Sequence, residues 1–366
     1  MVEARALWIT RFDWSTQAEL IGLVESAADA GFNIIYFQVR GRGDALYRPG
    51  LEPWSSVLTG TLGADPGWDP LAAALDAAHA RGLELHAWVN AFVAWAGNTP
   101  PESSPRHALL EHPDWLLADE NGQPIMEGAT TFFTPARAGV RERLAAVAAD
   151  IARRYPVDGI HLDYIRYPAS WPHDAASVAA YDTARASDPG LGFDEFRRRL
   201  VTDAVRLTAD SLAGVRPAVR LSAAVWGIYR NTWGWSGVST GYDDRLQDAR
   251  AWAEDGLVDA LVPMVYWPIQ PRYGDRLDFA YLADEHAAAV AGRHMYIGIT
   301  LENSNAEQLG RQIERAREAG AEGVAILSAR LLREQDLWAF LASGPFRREA
   351  IVPPMPWKTQ ALALRR

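Results

Sequence analysis

Cysteine is absent from the 366-residue chain, which removes disulfide frameworks, zinc-thiolate centres and cysteine nucleophiles from consideration. Histidine is scarce, with eight residues and no dense cluster, so no metal centre is expected. Neither a G-x-G-x-x-G nor a P-loop pattern stands at a strand-to-helix junction, and no nucleotide or other cofactor is expected. No apolar run reaches the roughly 18 residues that a membrane-spanning helix requires. Met1 to Arg11 also lacks the apolar stretch of a signal peptide. The expectation is therefore an intracellular protein, or an exported cell-envelope protein whose leader has been removed. Positive charge is in deficit, with 36 Lys and Arg against 46 Asp and Glu and a net charge of −10. That balance argues against nucleic acid as a partner and makes a neutral or cationic ligand easier to accommodate.

What remains is ordinary globular composition, 49% hydrophobic and 22% charged, long enough for one large barrel or two smaller domains. Short β-branched or aromatic runs alternate with longer alanine-rich segments of helical period, the pattern of repeated βα units around a parallel sheet. Eight strands are predicted, at Ala4–Thr10, Phe32–Val39, Leu83–Asn90, Val157–Ile165, Arg220–Gly227, Ala260–Trp267, Met295–Thr300 and Gly323–Ser328. Helices are predicted between them at Thr16–Ala30, Pro70–Arg81, Ala138–Arg154, Asp194–Leu212, Asp244–Asp255, Tyr281–Ala291 and Ala306–Ala319, with Glu334–Ala342 closing the series. A helix-Gly-strand junction recurs as AGFNIIYF, RGLELHAW, DGLVDALV and AGAEGVAI, where glycine suits the left-handed residue past a helix end. Eight units predict a closed (β/α)₈ barrel over residues 1–344, followed by a tail at 345–366 that is packed on it or loose.

The loops are uneven. Those at Arg40 to Asp69, Ala91 to Arg137, Tyr167 to Phe193 and Ile228 to Asp243 are long, and all follow the C-terminal ends of strands. Barrel enzymes build their sites on that face, so a loop-walled groove is expected there.

The segment VDGIHLDYIRYP, Val157 to Pro168, is the most informative stretch. Alternation along a strand puts Ile160 and Leu162 on one side and His161 and Asp163 on the other. A carboxylate near a core is costly, and gathering His161, Asp163, Arg166 and Tyr167 at one strand end suggests a site. Asp163 is the first candidate catalytic residue. Cleavage of a glycosidic bond by carboxyl groups needs a partner, for which Glu302 in ITLEN is preferred over Asp44 in GRGDALY and Asp243. Fifteen tryptophans are present, and Trp88, Trp226, Tyr266 and Trp267 fall at strand ends, where an indole offers an apolar face for a sugar and an N–H for a hydroxyl. Arg40, Asp44, His86, Asn90, His161, Arg166 and Tyr167 complete the expected substrate contacts. His86, His161 and Asp163 would also suit a metal-dependent hydrolase or deacetylase if they converged. A non-catalytic carbohydrate-binding barrel of the envelope is the other alternative.

With these residues in view, the chain resembles the glycosyl-hydrolase-like family 10 proteins through ALWIT, FQVRGRGDALY, LEPWSSVLTG, GWDPLAAALDAAHARGLELHAWVN, HPDWLL, GIHLDYIRYP and LVDALVPMVYW. The resemblance implies a (β/α)₈ barrel, glycoside hydrolase activity on a polysaccharide or oligosaccharide, and Asp163 as the catalytic acid. Some relatives are exported envelope proteins linked to cleavage of peptidoglycan glycan strands, which implies that polymer as a substrate. After HAWVN the chain runs AFVAW where the family pattern leads one to expect a proline-containing loop.

Overall fold

The computed structural model describes residues 1–97, 99–270, 277–289, 292–302 and 304–358. Eight strands form the closed barrel: β1 (Ala4–Ile9), β2 (Ile34–Arg40), β3 (Glu84–Asn90), β4 (Gly159–Asp163), β5 (Arg220–Trp226), β6 (Ala260–Met264), β7 (His294–Thr300) and β8 (Gly323–Leu327). Each pairs in parallel with the next, and β8 returns to β1. The (β/α)₈ architecture read from the sequence is the one observed.

Strand alternation divides the apolar residues into two layers. Outward-facing Leu7, Ile35, Leu85, Ile160, Leu162 and Val324 pack beneath the surrounding helices in one large core. Inward-facing Ala4, Ala6, Trp8, Tyr36, Trp88, Val262 and Tyr296 fill the barrel itself. The helices begin as their capping residues require. The Thr16 hydroxyl accepts from the Glu19 N–H ahead of Gln17–Asp29, and Asp69 accepts from Ala72 N–H ahead of Pro70–Ala80. Helix Ala138–Arg154 has the predicted bounds, and Phe279–Ala288 starts two residues before the predicted Tyr281. Residues 290 and 291 of that predicted helix lie outside the described residues.

The loops contain elements that were not apparent in the sequence. Within the loop after β3, Val93–Ala96, Met126–Glu127 and Thr130–Phe132 form a small antiparallel sheet, so the divergent AFVAW segment runs into a strand at Val93. The loop after β4 contains a helix, Ala175–Ser187. Past residue 344, the chain crosses the opposite end of the barrel. Arg5 Nη1 donates to the carbonyls of Phe346 and Arg348, and Trp357 Nε1 donates to Asp259 Oδ1 at 2.7 Å. Residues 359–366 of the predicted tail lie outside the described residues.

Within the barrel, an aromatic layer closes the space below its mouth. Tyr36 and His161 stack with ring centres 3.9 Å apart, and Trp8 packs against both. Beneath them lies the His86 ring, and Gly159 makes room for it: a Cβ there would stand 2.4 Å from His86 Nδ1. Gly159→Ala is expected to destabilise the protein by about 1–3 kcal/mol through overpacking, read as a lower urea midpoint with an unchanged m-value.

Candidate active site

Above the aromatic layer a cavity of about 660 Å³ opens at the C-terminal ends of the strands. Its floor and walls include Trp8, Gln38, Trp88, Asn90, Asp163, Trp226 and Tyr266 from strand ends, with Arg11, Phe12, Arg42, Glu127, Tyr164, Arg166 and Trp267 from the following loops. Of the residues expected from the sequence to form the site, Asp163, Trp88, Asn90, Arg166, Trp226, Tyr266 and Trp267 are brought together here.

Asp163 ends β4 on the inward face, only 8% exposed. Immediately after it, Tyr164 turns into the left-handed region with φ 49°, an arrangement that costs a non-glycine residue about 1 kcal/mol. That turn brings Tyr164 N–H back to Asp163 Oδ1 at 2.6 Å. Burial nevertheless pushes the Asp163 carboxyl up to about 6; the Tyr164 N–H, Arg166 and the indole N–H of Trp88 oppose the shift, and the Glu127 charge adds to it. The result is a carboxyl group that holds its proton in mildly acidic solution.

Glu127 lies on the same cavity wall, carried there by the small sheet. It pairs with Thr130 across a two-residue turn at Gly128 and Ala129, with Gly128 at φ 59°. Arg166 Nη2 and Arg245 Nη1 reach its two oxygens at 3.0 and 2.9 Å. Burial would raise its pKa, but the two guanidinium groups outweigh burial and hold the carboxyl below its ordinary range. Arg166 and Arg245 also lie over the Trp226 ring, at 5.1 and 4.2 Å from its centre. The cavity thus holds two carboxyl groups whose surroundings push their pKa values apart, one toward the acid and one toward the anion.

Several residues expected to touch a ligand stand behind the wall, and the sequence expectation is corrected at each. The reason at Arg40 is a β-bulge: Gln38 pairs with Trp88, whereas Arg40 pairs with Val89. One extra residue reverses the side-chain alternation, so Gln38 stays on the cavity and Arg40 turns away into a buried pair with Glu52 at 2.7 Å. Asp44 is buried as a loop fastener, accepting from the N–H groups of Gly41 and Arg42 and from the Ser55 hydroxyl. His161 is below the floor; its Nε2 accepts from Trp8 Nε1 at 3.0 Å, and Nδ1 bonds Ser222 Oγ at 2.8 Å. With both ring nitrogens engaged and burial holding its pKa well below the ordinary value, it is neither a metal ligand nor a sugar contact in this arrangement. His86 pairs with Glu84 at 3.2 Å, farther down the barrel. The Tyr167 hydroxyl bonds Ser177 in the loop after β4. Glu302 is exposed on the turn after β7 and is not part of the cavity wall. Among the described residues no group of three potential metal ligands converges.

The indoles also differ from expectation. Trp226 Nε1 donates to the Ser239 carbonyl at 2.6 Å and Trp8 Nε1 to His161, whereas the Trp88 N–H faces the Asp163 carboxyl. Trp8, Arg11, Arg42 and Glu127 escaped the sequence reading. Parity with Ala4 and Ala6 would have placed Trp8 inward.

The model of the family described as glycosyl hydrolase-like 10 matches residues 3–312. Among curated proteins, the chain is 28% identical to the glycosyl hydrolase YngK of Bacillus subtilis, aligning 97% of this chain with 74% of that one. It is 27% identical to the glycosyl hydrolase DigH of Escherichia coli, over 81% of this chain and 72% of that one. Among solved structures, the catalytic domain of a Paenibacillus polymyxa β-amylase superposes with a TM-score of 0.64 at 12% identity, covering 91% of this chain and 94% of that chain. A Marinomonas β-galactosidase superposes with a TM-score of 0.61 at 15% identity, covering 89% of this chain and about half, 54%, of the other. The structural likenesses show the fold, and the family match, running through every barrel strand but β8, shows the lineage: the chain belongs to the glycosyl hydrolase-like 10 family.

Proposed function

We propose that the protein is a glycosidase that hydrolyses an O-glycosidic bond of a polysaccharide, with Asp163 as general acid and Glu127 as the second carboxyl group. The observation that carries this reading is the pair itself: on one aromatic-lined wall, burial raises one carboxyl to about 6 while two arginines hold the other ionised. In the reaction, Asp163 transfers its proton to the bridging oxygen as the bond to the anomeric carbon breaks, and water supplies the oxygen that replaces it. Glu127 faces the positive charge that develops on the sugar ring, either as nucleophile or as the base that takes the proton of the attacking water. No cofactor takes part in this scheme.

The curated relatives are named glycosyl hydrolases, and peptidoglycan glycan strands are the proposed polymer. The test is incubation with purified glycans, peptide-free peptidoglycan strands among them, with products analysed by mass and anomeric configuration followed by NMR. Shortened oligosaccharides with new reducing ends are expected. Intact glycans throughout such a panel, with binding retained, would instead favour a carbohydrate-binding barrel without catalysis.

A further inference from the structure

The chain as a whole is acidic, yet its cavity carries three guanidinium groups, Arg11, Arg42 and Arg166. Arg166 is paired with Glu127. Among the described residues, neither Arg11 nor Arg42 has a side-chain hydrogen bond or an ion pair. Arg11 is only 7% exposed and its Nε has no hydrogen-bond partner. Although the Asp44 charge acts on Arg11, a buried guanidinium whose donors are unpaired is costly to keep, so a ligand that completes it is the economical explanation.

The Arg11 side chain and the Arg42 backbone are held in place by their surroundings. A Cβ on Gly41 would lie 2.7, 2.8 and 2.9 Å from Nη1, Cζ and Nε of Arg11. Near-equal distances to three atoms of one plane mean that the guanidinium lies flat on Gly41. Phe12, itself 57% exposed, packs against it with the ring centre 4.4 Å from Cζ. Packing of this kind leaves the edge of the fork for a ligand, the geometry that suits a planar two-oxygen group. The Arg42 backbone is fastened at both ends, its N–H to Asp44 Oδ1 at 2.7 Å and its carbonyl to His107 Nε2 at 2.8 Å. The oxygens of Asp44 are occupied with the N–H groups of Gly41 and Arg42 and with the Ser55 hydroxyl.

Resting on the glycosidase reading, we propose that Arg11 and Arg42 form a subsite for a carboxylate borne by the sugar chain, which makes the substrate an acidic glycan. The shared chemistry is a carboxylate attached to a hexose, and it has two sources: a uronic acid or a lactyl ether of an amino sugar.

The experiment uses the Asp163→Asn protein as a non-hydrolysing binder and titrates it calorimetrically with two tetrasaccharides. One contains uronate and the other is a peptide-free, lactyl-bearing peptidoglycan fragment; each is compared with its carboxyl-reduced counterpart. One acid is expected to bind about tenfold or more tightly than its reduced form, and which acid does so names the source. That preference is expected to shrink with salt and to vanish in Arg42→Gln and in Gly41→Ala. Gly41 has no left-handed φ, so its added methyl group displaces the Arg11 side chain rather than straining the backbone. Thermal melts confirm that each variant is folded. Equal binding of acid and reduced forms, no binding of either acid, or a preference that survives both substitutions would overturn the subsite. The unsubstituted protein separates this from the function: binding with a preference but without cleavage keeps the subsite and removes the hydrolase, whereas cleavage with no preference for acid does the reverse.

Discussion

Asp163→Asn is expected to lower kcat by about 10²–10⁴-fold on a natural glycan, the usual contribution of a positioned general acid. An aryl glycoside whose leaving group is already a weak base needs little protonation and is expected to lose much less. The pH profile carries a second signature. Asp163 must be protonated to act and its pKa lies at about 6, so kcat/KM is expected to fall as pH rises through that value. The same substitution has an opposite effect on stability. The folded-state pKa is raised from 3.8 to about 6, so the folded protein holds the proton more tightly than the unfolded chain does. The destabilisation caused by the buried charge is absent below about pH 4, grows between the two pKa values and is complete above pH 6. Asparagine removes it, and the variant is expected to gain up to about 3 kcal/mol at pH 7 and little at pH 4. Thermal melts at the two pH values check this, and a variant no more stable at pH 7 than the parent would contradict the raised pKa.

Glu127→Gln is expected to reduce kcat by about 10²–10³-fold, the scale of losing one electrostatic stabiliser of the transition state. Here the aryl glycoside offers no rescue, because the missing group acts on the sugar ring rather than on the leaving oxygen. The acid limb of the profile is expected to change with it. In the parent Glu127 titrates below its ordinary range, so activity persists in moderately acidic solution and falls only as pH drops far enough to protonate it. Glu302→Gln is the companion measurement. Should the larger loss follow Glu302 instead, the second carboxyl group is the one on the exposed turn after β7, and a loop movement must bring it to the cavity.

The two assignments differ in how far the sequence could reach them. Asp163 was legible because it sits in a strand, where alternation fixes the side of each residue, and because the barrel rule then places a strand's C-terminal end at the mouth. Glu127 was not, because it lies in a long loop whose path is set by pairing between Val93–Ala96, Thr130–Phe132 and Met126–Glu127, contacts that no local pattern announces. Arg40 shows how alternation itself can fail. A single bulged residue between Gln38 and Arg40 moved it from the cavity to a buried pair, and the strand sequence carries no mark of that bulge. His161 and His86 kept the predicted inward facing, yet depth along the barrel axis decided their use: they lie below Trp8, in the packed layer, where a ligand at the mouth does not reach.

By its own pattern the sequence determined the eight βα units, the inward and outward faces of the strands, and the family, since those follow from local periodicity and contiguous motifs. Tertiary structure decided which polar groups share the cavity. Whether a carboxyl group keeps its proton depends on the charges and the amount of water around it, and Arg166, Arg245 and Trp88 come to Glu127 and Asp163 only when distant loops and strands close over the same space.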